Sequence, residues 1–301
     1  SQINDGKMVS SELSQEDAEK LIRLYSDGHF NEVESVAKNL INYHPDTPIL
    51  FELLSAAELG QGKMDSAVLS LRRLNEIARG NPDTLCNLGA VLKELGQLEE
   101  SIKCLRQAVK IKPNSPQILC NLGIALHELG QLDESIRCLR KASQIDPSLS
   151  NAYHSLGIAL QSTGVNDEAI TCFRRALSID PKLIEAHNNL GNALQNLGEL
   201  EAAIDCFQRV LEIDPERPYA RANLGSVLFE MGNFDQAIDS FQSSLKSDPD
   251  HTIAHLGLGG CYLAQGKHKE GLRAIFKGSG FIRFSKNSGY SILKDSVHEK
   301  T

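Results

Sequence analysis

Glycine stands at positions 28, 62, 96, 130, 164, 198, 232 and 266, each 34 residues after the one before. A fixed internal period constrains the fold more tightly than composition does, because a chain that repeats one short unit must bury that unit against its own copies. A second series keeps the same step: Gly89, Gly123, Gly157, Gly191, Gly225 and Gly259, preceded by Leu88, Leu122, Leu156, Leu190, Leu224 and Leu258. Proline closes the unit at 45, 113, 147, 181, 215 and 249. Aligned on these marks, the array covers 14–285 in units 14–47, 48–81, 82–115, 116–149, 150–183, 184–217, 218–251 and 252–285.

The fourth unit shows what each copy encodes. Leu119, Leu122 and Leu126 recur at helical spacing, then Ile136, Leu139 and Ala142 do so again after Gly130, predicting two helices with one apolar stripe each. Gly130 suits a helix end that needs left-handed backbone angles. Gly123 lies inside the first helix, where a missing side chain lets the second helix approach, as do Ser135 and Ala142 across from it. Asp133 and Glu134 open the second helix, Arg140 and Lys141 lie toward its other end, and Pro147 stops it. Before the array, residues 1–13 are polar and expected to be disordered; Ser14 to Asp17 then forms a Ser-x-x-Asp helix start. Met8 is a candidate natural start.

These units resemble the tetratricopeptide repeat (TPR) family, a helix-turn-helix repeat of this period. Units three to seven match its signature well, units one and two lack the Leu-Gly pair, and unit eight loses its closing proline. The resemblance implies an all-α, right-handed superhelix of about eight repeats, an α-solenoid whose first helices line a concave groove. Just before the leucine of each Leu-Gly pair the chain reads Glu19, Leu53, Asn87, Asn121, Ser155, Asn189, Asn223 and Gly257. In the family this position points into the groove, and the series is similar to the asparagine ladder in the TPR region of O-linked N-acetylglucosamine transferases. An amide offers an acceptor and two donors, enough to hold an extended peptide backbone without reading its side chains. Asn188, Asn192 and Asn196 fall on the same face, and Tyr219 and Phe229 are candidate anchors near one end. Lysines and arginines that clamp a carboxylate in some family members are replaced here by Cys86, Gln117, Cys120, Asn121, Asn151 and Asn188. First-helix charges are mostly acidic (Glu52, Asp83, Glu94, Glu128, Glu185 and Glu230, with Lys93 opposing), so the expected ligand is a neutral to basic extended peptide.

A formal charge of −8 argues against nucleic acid as the main partner, and no apolar run approaches a membrane span. Residues 1–20 carry no secretory h-region, and cysteine usage fits the cytoplasm. Cys104, Cys138, Cys172 and Cys206 recur at the repeat period, a spacing too wide for disulfides, and read as small core residues. Lys38, Arg72, Arg106, Arg140 and Arg174 form a basic column that helix-dipole and Glu-to-Arg contacts explain without a ligand. No catalytic, cofactor or metal motif occurs, and His251 and His255, four apart, lack a third ligand. At the end of the array, Phe281–Phe284 and Tyr290–Leu293 suggest a β-hairpin across Ser285–Gly289, pairing the close of the last unit with a tail of residues 286–301. The reading is therefore a non-enzymatic peptide-binding scaffold. Its alternatives are the substrate-recruiting part of a larger glycosyltransferase, sulfotransferase or methyltransferase, and a module that self-assembles through its C-terminal end.

Overall fold

The computed structural model describes residues 13–279 and the strand residues 282–285 and 289–292. The expected disorder of the N-terminus and the role of Met8 fall outside these residues, as do most of the tail and the hairpin's turn at 286–288. The chain divides into two compact units, Ser1–Ser155 and Leu156–Thr301. In the first lie α1 (Gln15–Ser26), α2 (Phe30–Ile41), α3 (Pro48–Gly60), α4 (Met64–Ile77), α5 (Pro82–Glu94), α6 (Leu98–Ile111), α7 (Pro116–Glu128) and α8 (Leu132–Ile145). The boundary falls inside α9 (Ser150–Ser162). The second unit continues with α10 (Asn166–Ile179), α11 (Ile184–Asn196), α12 (Leu200–Ile213), α13 (Pro218–Glu230), α14 (Phe234–Ser247), α15 (Thr252–Ala264) and α16 (His268–Ser279). Every 34-residue repeat thus yields one helix pair, including the first two that lack the Leu-Gly signature. The fold is the all-α repeat solenoid that the family resemblance implies.

Local chemistry sets the helix ends. Ser14 caps α1 by accepting from the Asp17 amide at 3.1 Å, while its hydroxyl donates to the Asp17 carboxylate at 2.7 Å. Pro116 stands in the first turn of α7, where its missing N–H leaves no helical bond unmade. At the other end Gly130 takes φ +80°, a conformation costly for residues with a Cβ.

Helix pairs interlock through the second glycine series. A Cβ built on Gly123 would lie 2.5 Å from Leu139 Cγ, so the absent side chain is the socket for that leucine, which is fully buried. Ser135 Oγ donates to the Gly123 carbonyl at 2.6 Å and ties the same crossing. The equivalent knobs in the second unit are Phe173, Phe207 and Phe241, each fully buried against Gly157, Gly191 and Gly225. Burying such side chains is worth about 1.5–3 kcal/mol apiece, and each helix obtains it only from its neighbours.

One seam in the first unit is polar. Glu58 occupies the position that Leu92, Leu126, Leu160, Leu194 and Leu228 fill in later repeats. Its side chain is 2% exposed, accepts a 2.7 Å bond from Ser70 Oγ, and lies 3.8 Å from Lys38 Nζ. Burial raises its pKa, against the opposing pull of Ser70 and Lys38. Beside it, Glu34 takes 2.6 Å bonds from both Lys38 and Lys63 and a 2.9 Å bond from Gln61, and those lysine contacts hold its carboxyl down at about 2.

Lys38, Arg72 and Arg106 of the basic column pair with carboxylates, Lys38 with Glu34 on its own helix and the two arginines across the repeat boundary. Arg72 bonds Glu100 at 2.8 Å and Arg106 bonds Glu134 at 2.8 Å, each carboxylate lying 28 residues on in the next repeat. All seven cysteines are free thiols; Cys104, Cys172 and Cys206 are buried and Cys138 half-buried, as their column predicts. At the C-terminus β1 (Ile282–Ser285) pairs antiparallel with β2 (Gly289–Ile292), one residue out of step with the predicted strands.

Candidate functional site

Within the first unit, the faces of neighbouring first helices meet in two depressions at equivalent places. One, of about 380 Å³, lies between α7 and α9 and is lined by Gln117, Cys120, Asn121, Ile124, Leu149, Asn151, His154 and Ser155. Its lining holds no carboxylate, lysine or arginine. The other, of about 330 Å³, lies among α3, α4 and α5 and includes Glu52, Ala56, Leu59, Leu71, Leu74, Asp83 and Asn87. Helix periodicity explains the pattern: residues two, six and nine of a first helix share one side, and the packing stripe occupies the other.

Asn121 and Ser155 therefore share a cavity, and Asn87 lines the other one, two repeats away. They are not free amides on an open wall. Asn121 Nδ2 donates to Cys86 Sγ, at 3.2 Å, across the repeat boundary. Burial pushes the Cys120 thiol up to about 11, against the opposing pull of Ser155. Asn87 is exposed.

In the second unit the same register brings three amides together. Asn223 Nδ2 donates to Asn188 Oδ1 at 2.9 Å and to Asn192 Oδ1 at 3.3 Å. Those two bonds use the Asn223 donors and leave its carbonyl, and the Asn188 and Asn192 amide hydrogens, outside this pairing. Asn189, half-buried on the same helix, has bonding partners of its own. Tyr219 is half-buried with the Arg217 guanidinium 5.8 Å from its ring centre. Phe229 is half-buried: its ring lies 5.6 Å from that of Phe234, lines the space beside Gly260 and packs against the apolar cluster that α13 to α16 build. At the ladder position of the last repeat, a Cβ on Gly257 would strike the Phe241 ring. The series sits over the seam between repeats, close to the buried knob of the preceding pair, so its last member is a packing residue.

Sequence reasoning noted Gln117, Cys120 and Asn151 only as replacements for a basic clamp, and it missed Ile124, Leu149 and the inclusion of His154. The signal is positional: Ile124 lies three residues after Asn121, and His154 and Leu149 lie one and six before Ser155. The acidic first-helix residues are partly committed, since Lys93 bonds Glu94 at 2.5 Å and lies 3.6 Å from Glu128, and Glu230 accepts from Gln195 at 2.6 Å.

Among the described residues no group of three potential metal ligands converges. His251 and His255 do not pair: His251 Nδ1 accepts from the Ala254 amide at the start of α15, and His255 Nε2 meets the Pro249 carbonyl at 2.8 Å. No described helix is long and apolar enough to cross a membrane.

Models of the tetratricopeptide repeat match residues 91–130, 123–164, 162–198, 184–217 and 222–279. No curated protein matches the chain in sequence. Among solved structures, the APC/C hetero-tetramer Cut9-Hcn1 aligns with a TM-score of 0.68 at 17% identity, over 84% of this chain and 50% of that one. MamA aligns at 26% identity with a TM-score of 0.50, over 54% of this chain and 89% of its own. YrrB, described as a TPR protein with an unusual peptide-binding site, aligns at 20% identity with a TM-score of 0.52, over 65% and 97%. The likenesses to Cut9-Hcn1 and YrrB are of fold alone.

Proposed function

The chain belongs to the tetratricopeptide repeat family, and from that premise we propose that it is a non-catalytic interaction scaffold whose first-helix faces bind an extended peptide. The observation that carries this reading is the neutral, hydrogen-bonding lining of the α7–α9 depression, where Gln117, Asn121, Asn151, His154 and Ser155 surround Ile124 and Leu149. An extended peptide brings one N–H and one C=O per residue that need partners once water leaves. Side-chain amides supply both kinds, in either direction, without charge. The bonds from Asn121 to Cys86 and from Asn223 to Asn188 and Asn192 hold these amides in place before a ligand arrives, which lowers the entropy that binding must offset. A peptide site on YrrB, a protein of similar fold, is in keeping with this use.

The test is selection of binders from a random linear peptide display library on the full chain, followed by affinity measurement on a variant carrying Asn87→Ala, Asn121→Ala, Asn189→Ala and Asn223→Ala. The proposal expects affinity to fall tenfold or more while the thermal transition stays nearly unchanged. Equal binding by both proteins, or unfolding of the variant, would overturn it.

A further inference from the structure

The two depressions of the first unit are equivalent in register but opposite in character. Where the α7–α9 site has Cys120 and Asn151, the α3–α5 site has Glu52 and Asp83; where the first has Ile124, the second has Ala56. Ala56, Leu59 and the almost fully buried Leu71 and Leu74 form the apolar part of its lining, which also holds Ser55, Asn81 and Thr84 beside the two carboxylates. That combination fits a long side chain with an apolar stem and a cationic head, the build of lysine and arginine and of no other residue.

We infer that the α3–α5 depression takes one lysine or arginine of the bound peptide, its stem against Ala56, Leu59, Leu71 and Leu74 and its charge between Glu52 and Asp83. The inference rests on the peptide-binding reading and adds the side-chain chemistry that reading leaves open. Charge complementarity supports it. The Glu52 carboxylate has no ion-pair partner among the described residues, and Asp83 meets only Lys112, at 3.7 Å with both side chains mostly exposed. Lys93, on the same helix as Asp83, is bound to Glu94 and Glu128 and does not compete. Asn87 lines the same depression and can hold the peptide backbone beside the basic residue.

Register then sets a spacing. The depressions are two repeats apart, and packed helices lie roughly 8–10 Å from one another, so the sites are on the order of 16–20 Å apart. An extended chain rises about 3.3 Å per residue, which places the basic residue about five or six positions from the neutral residue that fills the α7–α9 site.

The same peptide library tests this, selected on the wild-type full chain and in parallel on a Glu52→Lys, Asp83→Lys variant. Both substitutions are at exposed positions, and a matching circular dichroism melt shows that the fold is kept. The expected result is enrichment of lysine or arginine at one position for wild type and of aspartate or glutamate at that position for the variant. A single wild-type binder should weaken roughly 3- to 20-fold on Glu52→Gln, Asp83→Asn, an effect that shrinks with added salt. Binders that depend on the asparagines yet show no basic preference would overturn this inference and leave the groove reading intact. Absence of any asparagine-dependent binder would overturn both.

Discussion

Replacing Glu58 by leucine and Ser70 by cysteine should stabilise the N-terminal repeats. Glu58 is 2% exposed and sits in a column that is leucine in six other repeats and Tyr262 in the last, and Ser70 sits in the column of Cys104, Cys138, Cys172 and Cys206. The carboxylate is held by one 2.7 Å hydroxyl bond and by a lysine 3.8 Å away. Those contacts only partly offset the cost of removing a charge from water, and exchanging a buried ionic group for well-packed apolar residues typically gains about 1–4 kcal/mol. Lys38 keeps its 2.6 Å bond to Glu34, so no cation is stranded. Ser70→Ala alone should do the reverse and cost about 1–3 kcal/mol, because Glu58 then loses its only hydroxyl donor. The sign of the pH dependence follows from the raised Glu58 pKa: its favourable contribution is complete below the ordinary value of 4.5 and is lost as pH rises through the folded-state value. The advantage of the double variant should therefore grow with pH above that range. Because repeats unfold piecemeal, the assay is hydrogen exchange by mass spectrometry in a urea series, read on peptides from α1 to α4. Faster exchange there in the double variant at neutral pH would refute the reasoning.

Gly123→Ala should destabilise the first unit despite alanine's better helix propensity. Intrusion on Leu139 costs about 1–3 kcal/mol and propensity returns about 1, so a rise in urea midpoint would contradict the socket. Cys120, Cys206 and Cys261, each pushed up to about 11 by burial, should resist alkylation at pH 8 in the native chain and react on unfolding. Native labelling at the rate of a free thiol would count against their burial.

The helix pairs were legible because their signals are local or strictly periodic. Leucines three and four apart mark a stripe, Gly130 marks an end, and the Leu-Gly pair marks a crossing whatever surrounds it. The polar seam at Glu58 escaped because it depends on which columns from separate helices meet. The same limit hid the bonds from Asn121 to Cys86 and from Asn223 to Asn188, whose members lie 35 residues apart. They could be found only by pairing position five of one repeat with position six of the next. Phe229 illustrates the ambiguity of an aromatic on a helix face, since spacing alone does not separate an anchor from a ring packed on Phe234 and beside Gly260. Arg72 and Arg106 of the basic column find their carboxylates 28 residues on, in the next repeat, a pairing that spacing within one helix does not show.

Photo-cross-linking the full chain with a selected peptide, labelled at successive positions, tests the central claim most directly. The account predicts adducts on the first helices, including the α7 and α9 segments that carry Gln117, Asn121, Asn151 and Ser155. Adducts confined to the second helices, such as the surface around Arg72 and Arg106, would contradict it.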